Sequence, residues 1–159
     1  MPPSPPEIKP KVRLTWMQRL GFPIFLALPI LALFRVFGES QAAAHVTGSA
    51  LEVTVSYPSR MHYRQLQSLR VTVRNLSPAE ADTVKVSFDT AYISRFTSVR
   101  FSPVPRTAYV VDLANVKPLE ARLVSVEFEG ESYGRHTGTI VARHGSDSTV
   151  VHLGTRVFP

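Results

Sequence analysis

Cysteine is absent from the 159 residues of this chain. Its absence excludes disulfide bonds, thiolate-bound zinc, iron–sulfur clusters, haem attached through a C-x-x-C-H motif and a cysteine nucleophile. Any fold that the chain adopts must therefore be held by its apolar core alone. A core of the required size is feasible for a domain of about 100 residues.

Motifs of catalysis and phosphate binding are also missing. The sequence has no serine in a G-x-S-x-G context, no G-x-G-x-x-G and no phosphate-binding loop. Glu127, Glu129 and Glu131 alternate along one predicted strand, a spacing typical of a solvent-exposed face. We therefore expect no enzymatic activity, no cofactor and no small-molecule substrate.

One long apolar run is present, from Leu20 to Phe37, and Arg35 is its one charged residue. A membrane-spanning helix needs about 17–25 residues, which the flanking residues supply. Trp16 suits the lipid–water interface, and Arg19 and Arg35 can extend their guanidinium groups to the headgroups. The sequence therefore predicts a transmembrane helix over residues 14–37.

The charges on either side of this run predict its orientation. After Arg35 there is no lysine or arginine until Arg60, whereas four basic residues precede the run: Lys9, Lys11, Arg13 and Arg19. The positive-inside rule then puts the N-terminus in the cytoplasm and the C-terminal domain in the periplasm, across the inner membrane of a bacterium. The net charge of +6 is divided between the two sides, so we expect no nucleic-acid partner.

Two other interpretations of the run stay open. Ala42 to Ala44 supply the small residues of a signal-peptide cleavage site, so the segment could be removed after Ala44. A buried helix of a soluble protein is the third interpretation. The first two agree that the rest of the chain is exported.

Residues 1–13 form a basic, proline-rich tail, and its first ten residues cannot be helical. One interpretation is a floppy cytoplasmic tail. The other is an extended segment that lies on a neighbouring subunit, with Pro5 and Pro6 in the contact. Residues 38–49 are small and polar, which predicts a flexible linker.

Residues 50–159 alternate between apolar and polar side chains in eight short runs, separated by proline, asparagine and glycine turns. Runs of this length and spacing predict a mainly β fold, an antiparallel Ig-like β-sandwich of seven to eight strands. The runs begin at Leu51, Leu69, Val84, Val99, Tyr109, Val124, Ile140 and Val151.

Two fragments carry a family resemblance. They are LRVTVRNLS, from Leu69 to Ser77, and VVDLANVKPLEARLVSVEFEGESYGRHTG, from Val110 to Gly138. Together they resemble bacterial Ig-like and fibronectin-like ectodomains, in which a strand ends at an Asn in a turn and an L-x-P-x-E turn leads into a strand and a glycine-marked hairpin. The resemblance implies a sandwich with an interaction role. It also implies an aliphatic and Phe/Tyr core here, since this region has neither cysteine nor tryptophan.

Candidate binding residues are few. His144 and His152 flank a turn on neighbouring predicted strands, but a metal site needs a third ligand, and we expect none. The stretch from Arg60 to Arg64 has no acidic residue between Glu52 and Glu80. Its arginine, histidine and tyrosine side chains are typical of interfaces. We therefore predict a partner interface at Arg60, His62, Tyr63 and Arg64.

An architecture of one transmembrane helix and one non-catalytic sandwich predicts an accessory subunit that stabilises a larger membrane complex. Its predicted partners are other integral membrane subunits and the lipid bilayer. By plan alone, it resembles small accessory subunits of bacterial photosynthetic reaction-centre–light-harvesting or oxidase complexes. The alternative is an exported or tethered periplasmic module that binds a peptide, a glycan or a metal.

Overall fold

The computed structural model describes residues 16–33 and 38–159. The chain divides into two units, residues 1–37 and residues 38–159. Pro5, Pro6 and Arg35 lie outside the described residues, so the predictions made for them stay predictions.

The first unit contains one helix, α1, over Trp16–Leu33, with Pro23 and Pro29 inside it. Trp16 is exposed, as are several apolar side chains further along: Ile24, Phe25, Leu26 and Ile30. Within the described residues, no helix combines the length and the apolarity needed to cross a membrane. The predicted transmembrane helix over 14–37 includes residues 14, 15 and 34–37, which the structure does not describe.

Nine strands and one short helix make up the second unit. The strands are β1 Ser40–Thr47, β2 Leu51–His62, β3 Leu66–Asn75, β4 Ala81–Phe88, β5 Phe96–Ser102, β6 Val110–Val116, β7 Ala121–Gly130, β8 Gly134–His144 and β9 Asp147–Phe158. The helix α2 covers Thr90–Ile93, and the Asp89 carboxylate caps it by accepting from the Ala91 N–H.

These strands show the predicted alternation of apolar and polar side chains. Over part of β2, β3 and β7 every second side chain is buried, for example Val53, Val71 and Val126. Because successive side chains of a strand point to opposite faces, each of the eight runs gives the sheet one apolar face. The prediction of a mainly β fold of sandwich type is confirmed, whereas the predicted number of strands, seven to eight, is too low, because β1 lies in the segment predicted as a linker.

The prediction of a linker over residues 38–49 is wrong, because β1 occupies most of it. Ser40–Thr47 pairs with β2 in antiparallel register, from Ser40 opposite Arg60 to Thr47 opposite Glu52. The side chains of β1 are half-buried or exposed, and most are small. An edge strand of this composition lacks the strong apolar alternation on which the sequence prediction depended.

Strand pairing joins the nine strands into one continuous curled sheet, in the order β5-β7-β3-β2-β9-β8-β4-β6, with β1 also on β2. The first part of β2 pairs with β3, and its last three residues, Arg60 to His62, pair with Arg156 to Phe158 of β9. This second pairing is parallel, so the prediction of an entirely antiparallel sandwich is wrong at this point. The strand β2 thereby connects the two halves of the sandwich.

Side chains of the two halves meet in one core. The ring of Phe101 on β5 lies 5.2 Å from that of Phe88 on β4, edge to face. Within one half, the ring of Phe96 on β5 lies 4.3 Å from that of Phe128 on β7. Edge-to-face and tilted arrangements are the favourable ones for aromatic rings. The core is aliphatic with Phe and Tyr, as predicted.

The two fragments that carried the family resemblance meet at one end of the sandwich. Asn75 ends β3, is fully buried, and its amide donates to the carbonyl groups of Ala79 and Val116. Its backbone carbonyl accepts from Leu119, and the Glu120 carboxylate accepts from the Lys117 N–H to close the turn before β7. Asn75 is therefore a structural residue that ties two turns together.

Val126→Asp should prevent folding, because Val126 is fully buried and an unpaired charge cannot be accommodated there. Leu123→Asp, on the same strand but 54% exposed, is the matched control and should fold. Circular dichroism and thermal melting of both variants check this. Equal losses of stability in the two variants would contradict the assignment of faces.

Candidate interface at the chain-entry end

The turn between β2 and β3 presents the residues predicted as a partner interface. The Gln65 N–H donates to the His62 carbonyl at 3.2 Å, and the Gln65 side-chain oxygen accepts from the His62 N–H at 2.9 Å. Arg64 sits in this turn with φ +58°, in the left-handed region that costs a non-glycine residue about 1–2 kcal/mol. The turn thus holds an exposed arginine in a strained backbone conformation.

Two other segments converge on this turn. The Tyr63 N–H donates to the Phe158 carbonyl at 2.8 Å, and the Arg64 N–H donates to the Gly130 carbonyl at 2.9 Å. His62 Nδ1 lies 3.1 Å from the carbonyl oxygen of Pro159, the C-terminal residue. The β2–β3 turn, the β7–β8 turn and the C-terminus therefore form one continuous surface.

Aromatic and basic side chains cover this surface. The rings of Tyr63 and Tyr133 lie 5.0 Å apart, and the guanidinium of Arg64 lies 5.4 Å from the centre of the Tyr63 ring. Arg156 makes the same kind of contact with Phe158, at 5.3 Å. Tyr133 is 58% exposed and Tyr63 is 36% exposed. Stacked cation–π contacts keep these side chains ordered while they face solvent.

The chain enters the sandwich at the same end. The Glu39 carboxylate accepts hydrogen bonds from the side-chain amides of Gln65 and Gln67, and Ser40 pairs with Arg60. Glu39 is thereby bound to the strand that follows the β2–β3 turn. We refer to this region as the chain-entry end; it comprises residues 38–40, 60–67, 130–135 and 156–159.

The structure brings all four predicted interface residues of the sandwich to the chain-entry end. Met61, between them, points into the core and is buried. Sequence reasoning missed the residues that complete the surface, namely Tyr133, Arg135, Arg156 and Phe158. They are distant in sequence from the β2–β3 turn, and only strand pairing brings them to it.

The histidine pair considered for a metal is not brought together. His144 follows Ala142 on the inward face of β8, where its Nδ1 lies 3.4 Å from the Thr83 carbonyl oxygen. His152 is exposed, on the opposite face of the sheet, between the buried Val151 and Leu153. Within the described residues, no three His, Asp or Glu side chains are grouped so that they could hold a metal ion.

The edge strand β5 and the loop that follows it border an open apolar groove of about 680 Å³. Phe101 and Tyr109 lie in its wall, with Val104 83% exposed beside them. Arg100 also lines the groove. The groove offers apolar contact without convergent polar groups, which suits an extended chain better than a small molecule.

The phenol of Tyr92 is a deeply buried titratable group. It shares a hydrogen bond of 2.8 Å with the Thr155 hydroxyl, which donates to the Pro58 carbonyl at 2.7 Å. Burial raises the pKa of Tyr92 to about 12. Gly138 faces this ring, and a Cβ there would collide with the Cβ of Tyr92. The phenol is closed in on every side, so we assign it a structural role.

Among the comparisons with known proteins, only the one with solved structures found similar proteins. No protein-family model and no curated protein matches the sequence. A CARDB domain from Pyrococcus furiosus superposes with a TM-score of 0.48 at 14% identity, over 68% of this chain and 94% of that one. The sulfur carrier protein SoxY from Chlorobium limicola gives a TM-score of 0.39 at 14% identity, over 84% and 96%. The GAE domain of GGA2p from Saccharomyces cerevisiae gives 0.37 at 14%, over 74% and 98%.

Tyr92 should make the protein lose stability at alkaline pH. The pKa of Tyr92 is higher in the folded state than in the unfolded chain. Its contribution to the free energy of unfolding is therefore complete below pH 10 and declines as the pH rises from 10 towards 12. The loss should reach roughly 2 kcal/mol by pH 12. Denaturant unfolding from pH 8 to 12 should show this decline in the wild type and a shallower one in Tyr92→Phe. Parallel curves for the two proteins would contradict it.

Proposed function

We propose that this chain is a non-catalytic, membrane-anchored accessory subunit that stabilises a larger membrane protein complex in the bacterial inner membrane. The run from Leu20 to Phe37 serves as the anchor, with Trp16 and Arg19 at its cytoplasmic side and Arg35 at the other. The sandwich lies in the periplasm. The apolar run and the distribution of basic residues around it support this arrangement.

The observation that carries the proposal is that the exposed aromatic and basic residues gather at the chain-entry end. Tyr, Arg and His are enriched where proteins contact one another, and stacked aromatics with guanidinium groups are common binding hot spots. The chain enters the sandwich at this same end, through Glu39 and Ser40. The strained Arg64 supports the same conclusion, since strain at an exposed residue is tolerated where the side chain has a task.

The position of Ala44 supports a retained anchor. Ala42 to Ala44 lie within β1 and pair with Val55 to Tyr57 of β2. Cleavage after Ala44 would remove the first half of β1, together with Glu39 and its two hydrogen bonds to Gln65 and Gln67. An intact mass that includes residues 1–44 supports the proposal, and a mature chain that begins at His45 contradicts it.

The partner complex can be identified by extraction from native membranes in mild detergent. We expect the chain to migrate with larger membrane subunits. Its plan makes photosynthetic reaction-centre–light-harvesting and oxidase complexes the first assemblies to examine by mass spectrometry. Migration only as a free monomer, or recovery of the intact chain in the aqueous fraction, would overturn the proposal.

Arg64→Asn should separate binding from folding. Asparagine adopts a positive φ more readily than arginine, so the melting temperature should stay the same or rise. The amount of partner that co-purifies should fall, because the exposed guanidinium is lost. Arg143→Asn, at the opposite end of the sandwich, is the control and should retain the partner. Equal loss of partner in both variants would show that the chain-entry end is not the interface.

The groove beside β5 favours a second candidate, an exported module that binds an extended peptide. Strand addition to an unpaired sheet edge gives affinity through backbone hydrogen bonds, and the groove would take the peptide's apolar side chains. Phe101→Ala tests the two functions against each other. Loss of peptide binding with the membrane complex intact favours the module, whereas unchanged peptide binding excludes this groove.

A further inference from the structure

A shallow depression of about 370 Å³ lies between α2 and the first part of β8. The residues that line it are Ala91, Arg95, Arg135, His136 and Thr137, and all five belong to the second unit. Arg135 and Thr137 are two residues apart on β8, so their side chains leave the strand on the same face. Arg95 comes two residues after the end of α2. The two sides of the depression therefore each carry an arginine.

Hydrogen bonds fix the two sides of this depression relative to each other. The Asp89 N–H donates to the Thr139 carbonyl at 3.0 Å, which holds the start of α2 against β8. The Ser132 hydroxyl donates to the Arg95 carbonyl at 3.3 Å, and the Ser132 carbonyl oxygen lies 2.8 Å from His136 Nε2. The β7–β8 turn thus connects the segment after α2 to β8. The backbone positions of Arg95 and His136 are set by the fold.

The groups that could reach a ligand in the depression are cations and hydrogen-bond donors. Arg95 and Arg135 are exposed, and neither forms an ion pair with a described residue. Thr137, also exposed, adds a hydroxyl. Among the described residues, no carboxylate lines the depression, and Glu131, four residues before Arg135, is not in its wall. Two positive charges around one depression repel each other, and an anion between them relieves that repulsion.

His136 is already engaged by the fold. The Ser132 carbonyl oxygen can only accept, so Nε2 of His136 carries the proton of this hydrogen bond. The ring lies edge to face with that of Phe96, with centroids 5.9 Å apart. His136 therefore forms part of the wall, and the two arginines and Thr137 are the groups left to bind a ligand.

We propose that this depression binds a phosphate or sulfate group, held by the guanidinium groups of Arg95 and Arg135 and by the Thr137 hydroxyl. Guanidinium groups bind such oxyanions through two parallel charge-assisted hydrogen bonds, which are roughly twice as strong as neutral ones. A tetrahedral oxyanion has enough oxygens for all three side chains, whereas a carboxylate has two. The inference goes beyond the proposed function, since it requires neither the anchor nor a protein partner.

The volume of the depression leaves room for more than the oxyanion itself. Sites for small organic molecules occupy about 300–1,000 Å³, and 370 Å³ lies within this range. The methyl group of Ala91 adds an apolar contact on one side. The phosphate or sulfate group can therefore be a free ion or be part of a small organic molecule.

Isothermal titration calorimetry of the full chain in an uncharged detergent measures this binding. Sodium sulfate and sodium phosphate should each bind with one ion per chain, and sodium chloride at the same ionic strength should give no binding. Glycerol 3-phosphate distinguishes the two sources of the group. Tighter binding than that of inorganic phosphate supports an organic phosphate as ligand, and equal binding supports the free ion. Heats for sulfate and phosphate that match those of chloride would overturn the inference.

Single arginine variants test which side chains hold the anion. Arg95→Gln and Arg135→Gln should each weaken sulfate binding at least about tenfold, because each loses charge-assisted hydrogen bonds. Arg70→Gln and Arg143→Gln, which change the net charge equally at exposed positions outside the depression, should bind sulfate like the wild type. Equal weakening in all four variants would show that net charge alone attracts the anion, and would overturn the inference.

A variant at Ala91 tests the location without removing a donor. Ala91 is exposed, so Ala91→Glu should fold, which thermal melting confirms. The new carboxylate lies in the depression, where it should repel an anion and occupy the guanidinium groups, so sulfate binding should be lost. Ala91→Gln, of the same size but uncharged, should bind sulfate more tightly than Ala91→Glu. Sulfate binding that Ala91→Glu leaves unchanged would contradict the assigned site.

Discussion

The structure depends on burying the apolar faces of two half-sheets against each other without any covalent cross-link. The chain has no cysteine, so closure of the sandwich depends on side-chain packing and on the strand β2, which belongs to both halves. Thr155 and Asn75, the most deeply buried polar residues, are both hydrogen-bonded. Among the described residues, no buried side-chain nitrogen or oxygen lacks a partner. A core that is fully satisfied in this way leaves the surface free to carry function.

The two ends of the sandwich use their polar residues differently. At the end opposite chain entry, Asn75 ties two turns together and Arg74 and Arg122 are paired with carboxylates. At the chain-entry end, backbone hydrogen bonds to Gly130 and Phe158 hold the β2–β3 turn, and the Glu39 carboxylate accepts from the side-chain amides of Gln65 and Gln67.

Much of the sandwich could be predicted from sequence, because alternation is a local signal that burial on one face imposes. The grouping of Arg60 to Arg64 on one turn could be predicted for a similar reason, since these residues are consecutive. The strand β1 could not, because Ala42 to Ala44 give no alternating apolar signal. The parallel pairing of β2 with β9 depends on register between distant segments, which a single sequence does not encode locally.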